Sequence, residues 1–264
     1  MQRAEGRGCV SFRWKEGATR LETLFQEGCA KIRLPTPLRG HAPEAVLINT
    51  AGGLTGGDRL VTEVNLSERT SAVITTQACE RIYRSTGAHA VVSNRLGVAR
   101  GSRLAWLPQE TILFEGGMLK RSLEVNLDGD AELVAVEAVL FGRAAMGETL
   151  NSGALIDRWR IRRNGKLIFA DDFRIAGKVA AHIARPAALG GNRAMATLIF
   201  AGAEPERLLE PARRIIGANG GASAWGGKLL ARIVVDTGLS LRRRMEPLLA
   251  LFQLNQPLPK VWQI

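Results

Sequence analysis

The chain has 264 residues, 46% apolar and 23% charged, with 36 Lys+Arg against 25 Asp+Glu and a formal net charge of +11. Such a length buries a real core without disulfides or a structural metal. The composition excludes collagenous, disulfide-scaffold, intrinsically disordered and membrane-spanning chains.

The opening MQRAEGRGCV is basic but has no apolar run behind it, so no secretory signal is expected. No stretch approaches the roughly 18 apolar residues of a transmembrane helix. The best candidate, residues 133–141, is short and contains Glu137. Val46, Leu47 and Ile48 precede a glycine-rich segment, NTAGGLTGGD, at 49–58. Leu60, Thr62, Val64 and Leu66 then alternate with Val61, Glu63 and Asn65, the period of a half-buried strand. Residues 73–76, 90–98, 104–107 and 112–114 are further strand candidates. Leu123, Val125 and Leu127 alternate with Ser122, Glu124 and Asn126. Asp128-Gly129 marks a turn before a run at 131–141. Trp159 and Ile161 lead into Asn164-Gly165, a strong hairpin signal, with a return strand at 166–170. Residues 196–201 complete the strand candidates.

Helical patterning comes late. Leu208, Leu209, Ala212, Ile215 and Ile216 recur at helical spacing before Gly217. A second helix fits 241–254, with Pro247 as its kink or its true start. The expectation is one mainly β domain over 1–264, a large β-helical or stacked-sheet body. It is β-rich over 1–203 and 221–238, with two α-helices at about 204–217 and 241–254 toward the C-terminus. No fixed-period repeat is visible.

Catalytic motifs are absent. The glycine-rich segment lacks the Lys-Ser/Thr of a P-loop and the spacing of a dinucleotide fingerprint. There is no G-x-S-x-G elbow and no H-E-x-x-H. Cys9, Cys29 and Cys79 form no C-x-x-C, which reads as reduced thiols in the cytoplasm. His41, His89 and His182 stand alone in sequence. The arginine clusters at 158–163 and 242–244 invite a nucleic-acid reading, but no aromatics interleave them in a stacking pattern. Docking on an acidic protein suits the basic charge better.

Three segments do not read as plain core. In 49–58, Gly52, Gly53, Gly56 and Gly57 serve a tight corner or a close backbone approach, with Thr50, Thr55 and Asp58 beside them. In TTQACERIYRS (75–85), Thr76, Gln77, Arg81, Tyr83 and Ser85 crowd hydrogen-bonding groups together, as at an interface. In EAVLFGRAAMGE (137–148), Glu137 shares an apolar face with Leu133, Ala135 and Val139. That position requires a partner, for which Arg143 is the candidate, and Glu148 adds a second acid.

These three blocks, with LPQETILFEGG at 107–117, stand in an order that resembles the UreD (UreH) family of urease accessory proteins. The opening GATRLETLFQEGCAKIRLP and the closing PLPKVW, which contains Trp262, resemble the family's two ends. Two departures are mild: Cys79 replaces a small residue, and the closing Pro-Lys-Val-Trp replaces Pro-Arg-Val-Trp. The resemblance implies a largely β-helical fold and a non-catalytic, cytoplasmic role in maturing nickel urease. It implies binding to UreF and apo-urease, with nickel delivered by the GTPase UreG and passed through an internal channel. No tightly bound cofactor is expected, only nickel in transit. Weak oxygen donors would let the ion leave, whereas several Cys or His would trap it. Thr50, Thr55, Asp58, Thr76, Ser85, Glu137 and Glu148 are the expected path. Gly52, Gly53, Gly56, Gly57, Gln77, Arg81, Tyr83, Arg143 and Trp262 are the expected structural or interface positions. For UreF, the helix at 241–254 and the closing tail are the expected contact. The competing readings are a basic β-rich nucleic-acid-binding protein and a hydrolase with scattered catalytic residues.

Overall fold

A computed structural model describes residues 3–37, 40–143, 146–253 and 257–262. It is mainly β, as expected. The chain winds as a solenoid whose turns each visit up to three faces.

The first face is a seven-stranded sheet. Its parallel core is β1 (Glu5–Lys15), β5 (Arg59–Leu66), β8 (Ala90–Val98), β11 (Met118–Leu127) and β13 (Gly153–Arg163). Antiparallel β2 (Ala18–Gly28) and β14 (Lys166–Gly177) close its two edges. The second face stacks β4 (Glu44–Asn49), β6 (Ser71–Thr76), β9 (Arg103–Leu107) and β12 (Glu132–Phe141) in parallel. β3 (Ala30–Arg33) pairs antiparallel with β4. β15 (Ala194–Ala201), β17 (Lys228–Val235) and β16 (Gly220–Trp225) extend the opposite side as an antiparallel meander. The third face is narrow: a bridge at Leu54, then β7 (Glu80–Ile82), β10 (Thr111–Leu113) and the end of β12.

Register makes the winding explicit. Arg59, Val91, Lys120 and Ile156 stack on the first face, and Leu54, Ile82, Leu113 and Phe141 stack on the third. A repeat of about 30 residues is therefore present in the backbone. It is hidden in the sequence because each layer fills its inner positions with different apolar residues.

The alternation seen in sequence is that of the first face. In β8, Ala90, Val92, Asn94, Leu96 and Val98 are buried, and the residues between them are more exposed. β12 is buried almost throughout because both of its sides are covered. Leu133 and Ala135 face the space between the sheets, whereas Val134, Val136 and Ala138 pack under the helices. Asn164-Gly165 forms the expected hairpin turn, with φ of 49° and 77°. Glu16-Gly17 joins β1 and β2 with the same signs, φ 51° and 76°. This long first hairpin was not anticipated, since β2 is exposed along nearly its whole length and carries no burial pattern.

The two late helices are α2 (Glu206–Ile216) and α3 (Gly238–Phe252). A short α1 (Val179–Ile183) was not expected. α3 begins earlier than the sequence suggested. Thr237 caps it, its side chain accepting from Ser240 N at 3.1 Å, and Pro247 sits inside. The expected end at Leu254 lies outside the described residues.

Candidate functional site: a cavity inside the solenoid

Between the first two faces lies a cavity of about 220 Å³. Its walls come from inward positions of the strands. Thr62, Asn94 and Arg121 come from the first face; Asn49, Thr76 and Trp106 from the second; Thr111 from the third. The residues following β6, namely Gln77, Ala78, Cys79, Glu80 and Arg81, form its outer part. Gln77 and Ala78 are exposed, whereas Thr62, Asn94 and Thr111 are buried.

Its deep end is a buried ionic triad. Arg121 Nη1 lies 2.5 Å from Glu137 Oε2, and Arg121 Nη2 lies 2.5 Å from Asp157 Oδ2. Arg121 Nε donates to Asp157 Oδ1 at 3.1 Å, and Nη1 donates to Thr111 Oγ1 at 3.1 Å. Trp106 Nε1 donates to Glu137 Oε1 at 3.1 Å. Register explains the contact, because Arg121 and Asp157 are direct neighbours across β11 and β13. Two carboxylates share one guanidinium, so the buried charge is not balanced. Burial pushes the Glu137 carboxyl up to about 7; Arg121 pulls against this and Asp157 adds to it. Burial also works against the Arg121 cation, but the two carboxylates outweigh it and its pKa is raised.

At the outer part, Glu80 is held by Asn49 Nδ2 at 3.1 and 3.2 Å, and burial raises its pKa. Behind it Glu110 receives Arg242 Nε at 3.2 Å and Cys79 Sγ at 3.4 Å. Burial, reinforced by Glu110, pushes the Cys79 thiol up to about 11, so it rests as the protonated thiol near neutrality. Among the described residues, no group of three or more His, Cys, Asp or Glu is placed to hold a metal.

The expected site residues divide. Thr76 and Glu137 line the cavity, with Gln77, Arg81 and Gly52. Thr50, Thr55, Asp58, Ser85 and Glu148 do not. Asp58 Oδ1 accepts from Ala4 N at 2.9 Å and Oδ2 from Thr55 N at 2.7 Å, closing the turn into β5. Thr50 and Thr55 donate to the carbonyls of Cys29 and Arg84, and Ser85 to that of Ala88. The glycine segment is a close backbone approach. A Cβ on Gly53 would stand 2.4 Å from the Tyr83 ring, and one on Gly56 would stand 2.0 Å from Ser85 Oγ. Gly52 and Gly57 have φ of 74° and 93°.

One expected pairing is corrected. Arg143 does not meet Glu137. It lies beyond the end of β12, where it bonds Glu148 at 2.9 Å and stacks 4.5 Å over Phe114. Glu137 keeps the inward parity of β12 and finds Arg121 instead. Arg121, Asp157 and Glu110 were missed, although a signal existed for two of them. Arg121 shares parity with Leu123, Val125 and Leu127, and Asp157 with Trp159 and Ile161.

Trp262 is buried, donating from Nε1 to Leu107 O at 3.0 Å and lying 4.9 Å under Arg242. The closing tail is thus pinned to the body. The arginine clusters are also largely committed internally. Arg158 and Arg160 pair with Asp172, Arg163 donates to backbone carbonyls, and Arg242 holds Glu110. The clusters therefore lend the nucleic-acid reading no support. Among the described residues, no helix is long and apolar enough to cross a membrane.

Comparison with known proteins agrees with the sequence blocks. The family model described as UreD urease accessory protein matches residues 4–263. Urease accessory protein UreD of Agrobacterium fabrum is 48% identical over 263 residues, covering 100% of this chain and 92% of that protein. Urease accessory protein UreD 1 of Brucella abortus is 50% identical over 268 residues, covering 100% of this chain and 95% of that protein. Urease accessory protein UreD of Rhizobium etli is 50% identical over 264 residues, covering 100% and 96%.

Proposed function

Because the chain belongs to the UreD urease accessory protein family, we propose that it acts as a non-catalytic, cytoplasmic scaffold in nickel urease maturation. In this reading its single domain binds UreF and apo-urease and conducts nickel supplied by the GTPase UreG. The observation that carries it is the cavity inside the solenoid, whose walls are mostly apolar but hold Thr62, Thr76, Asn94 and Thr111 and, at the deep end, Arg121 and Glu137. A polar interior is costly to bury. Passage of a hydrated cation gives that cost a purpose.

The donors suit a cargo in transit. Hydroxyls, amides and single carboxylates hold Ni²⁺ weakly, and among the described residues no cluster of thiolates or imidazoles stands in the way. In this reading the route runs past Glu80 and Thr76, along the wall of Thr62 and Asn94, to Thr111 and Glu137. Thr50, Thr55, Asp58, Ser85 and Glu148 support the surrounding loops.

Deleting the chain in its source organism, then restoring it, tests the role. Urease protein should stay abundant while its nickel content and activity fall, and both should return with the intact chain. Restoration with Thr76→Ala plus Glu137→Ala should leave nickel loading low. Full nickel in the deletion strain removes the function; normal loading with the double variant removes the route.

A further inference from the structure

We propose that the Arg121 guanidinium is the resident occupant of the cation position at the deep end of the cavity, and that Asp157 retains it when a divalent cation takes its place at Glu137. This rests on the function proposed above and adds how the route is closed at rest and why an ion that reaches Glu137 is not kept.

The contacts divide between two sides of the guanidinium. Toward the cavity a single nitrogen, Nη1, meets both Glu137 Oε2 at 2.5 Å and Thr111 Oγ1 at 3.1 Å. Arg121, Glu137 and Thr111 all line the cavity. Nη1 thus takes the two oxygens that an incoming cation would use. On the other side, Nε and Nη2 grip Asp157 Oδ1 and Oδ2 at 3.1 and 2.5 Å. Asp157 stands behind the guanidinium, outside the cavity wall, on the strand paired with β11.

Three features suit exchange better than a static ion pair. A buried guanidinium needs one carboxylate, and here Glu137 and Asp157 are both buried beside it. The surplus negative charge is costly in a resting core, whereas a divalent cation requires it. The bidentate grip on Asp157 also survives loss of the Glu137 bond, so the guanidinium is never left unpaired. Finally, Trp106 Nε1 donates to Glu137 Oε1 at 3.1 Å, which holds the carboxylate in place when Nη1 leaves Oε2. Two cations repel each other at contact distance from one oxygen, so each displaces the other. Return of the guanidinium expels the ion, which makes Glu137 a step in a passage and not a trap.

Trp106 provides the readout, because an indole bonded to Glu137 loses fluorescence when Ni²⁺ binds that carboxylate. The purified full-length chain is titrated with Ni²⁺ alone at low and physiological salt. Saturable quenching should appear in the wild type and be absent from Trp106→Phe and from Glu137→Gln. Asp157→Asn leaves the guanidinium to Glu137 alone. Its Ni²⁺ affinity should fall about tenfold or more at both salt concentrations, while its urea midpoint stays unchanged or rises, since the surplus charge is gone. Arg121→Gln removes the competitor, and its Ni²⁺ affinity should rise about tenfold or more. If that variant folds poorly, Ni²⁺ should raise its melting temperature by more than it raises that of the wild type. A purely structural triad predicts the reverse for Asp157→Asn: lost stability, with the Ni²⁺ affinity of the folded protein unchanged. Wild-type Ni²⁺ affinity in Asp157→Asn, or no gain in Arg121→Gln by either readout, overturns the exchange and leaves the route standing. Equal quenching in Glu137→Gln and wild type, or none in the wild type, overturns the exchange together with the deep end of the route. Full nickel loading of urease in the deletion strain instead overturns the underlying function.

Discussion

Arg121 is the residue on which the interior depends. It is 4% exposed and is the only cation within ion-pair distance of Glu137 and Asp157 among the described residues. Removing one partner of a buried ion pair leaves the other charge uncompensated, at a cost of about 3–5 kcal/mol. Arg121→Met should therefore destabilise the fold by about that amount, read from the urea midpoint. Glu137→Gln should cost far less, since it keeps a hydrogen-bonding oxygen and leaves Arg121 paired with Asp157. The same pair of proteins carries a pH prediction. The Glu137 carboxyl holds its proton more tightly when folded, at about 7, than its ordinary value of 4.5. Its contribution is then fully present below 4.5 and is lost as pH rises through about 7. Wild-type stability should fall relative to Glu137→Gln across that window, and the difference should level off above about pH 8. A difference that is constant with pH would place the Glu137 titration elsewhere.

At the scale of elements, the third face combines the buried stack of Leu54, Ile82, Leu113 and Phe141 with a close backbone approach by the glycine segment. The 49–58 segment lies directly against β7, Tyr83 just beyond it, and the turn at Ser85. Gly53 has no room for a methyl group: the Tyr83 ring and Arg81 O would stand 2.4 and 2.8 Å away. Gly56 would meet Ser85 Oγ at 2.0 Å and Ala88 O at 2.4 Å. Gly53→Ala and Gly56→Ala should each destabilise by about 1–3 kcal/mol. At Gly52 the φ of 74° is the only obstacle, with nothing within 4 Å of an added Cβ. Gly52→Ala should cost about 1 kcal/mol. Thermal melts of the three variants order them directly, and equal losses would refute close approach as the cause. The C-terminal tail obeys a similar logic. Trp262 links Leu107 O to the Arg242 guanidinium, so Trp262→Ala should cost about 3–5 kcal/mol and loosen the tail first, visible as faster amide exchange near α3.

At the scale of the molecule, each turn of the solenoid adds inward positions at the same place, so polar choices in successive layers stand side by side inside a largely apolar body. Gly8, Thr62 and Asn94 are register neighbours along this line. Thr62→Ile keeps a β-branched side chain of similar shape and removes the hydroxyl. It should leave the melting temperature unchanged or higher, because a buried polar group is gone. Urease matured with it should nevertheless carry less nickel. Undiminished nickel in a folded Thr62→Ile variant would move the route away from this layer.

What the sequence determined by itself was local. Strict alternation placed β5 and β11 and their inward residues, because a half-buried strand writes its burial every second residue. Asn164-Gly165 and the pattern Leu208, Ala212 and Ile216 set a turn and a helix for equally local reasons. Glu137 stood out because a carboxylate among Leu133, Ala135 and Val139 must find a partner. The identity of that partner was decided only by the tertiary structure. Arg121 is distant in sequence from Glu137 and meets it across the interior, whereas Arg143, close in sequence, has already left the strand. The winding itself was not visible, because parallel layers pair residues one turn apart and need only similar volume at each step. The exposed β2 carried no burial pattern to read. The cavity belongs to this second class. It exists where Gly8 contributes no side chain and Thr62, Asn94 and Thr76 contribute small ones, a shortfall of volume that appears only once the two faces stand opposite each other.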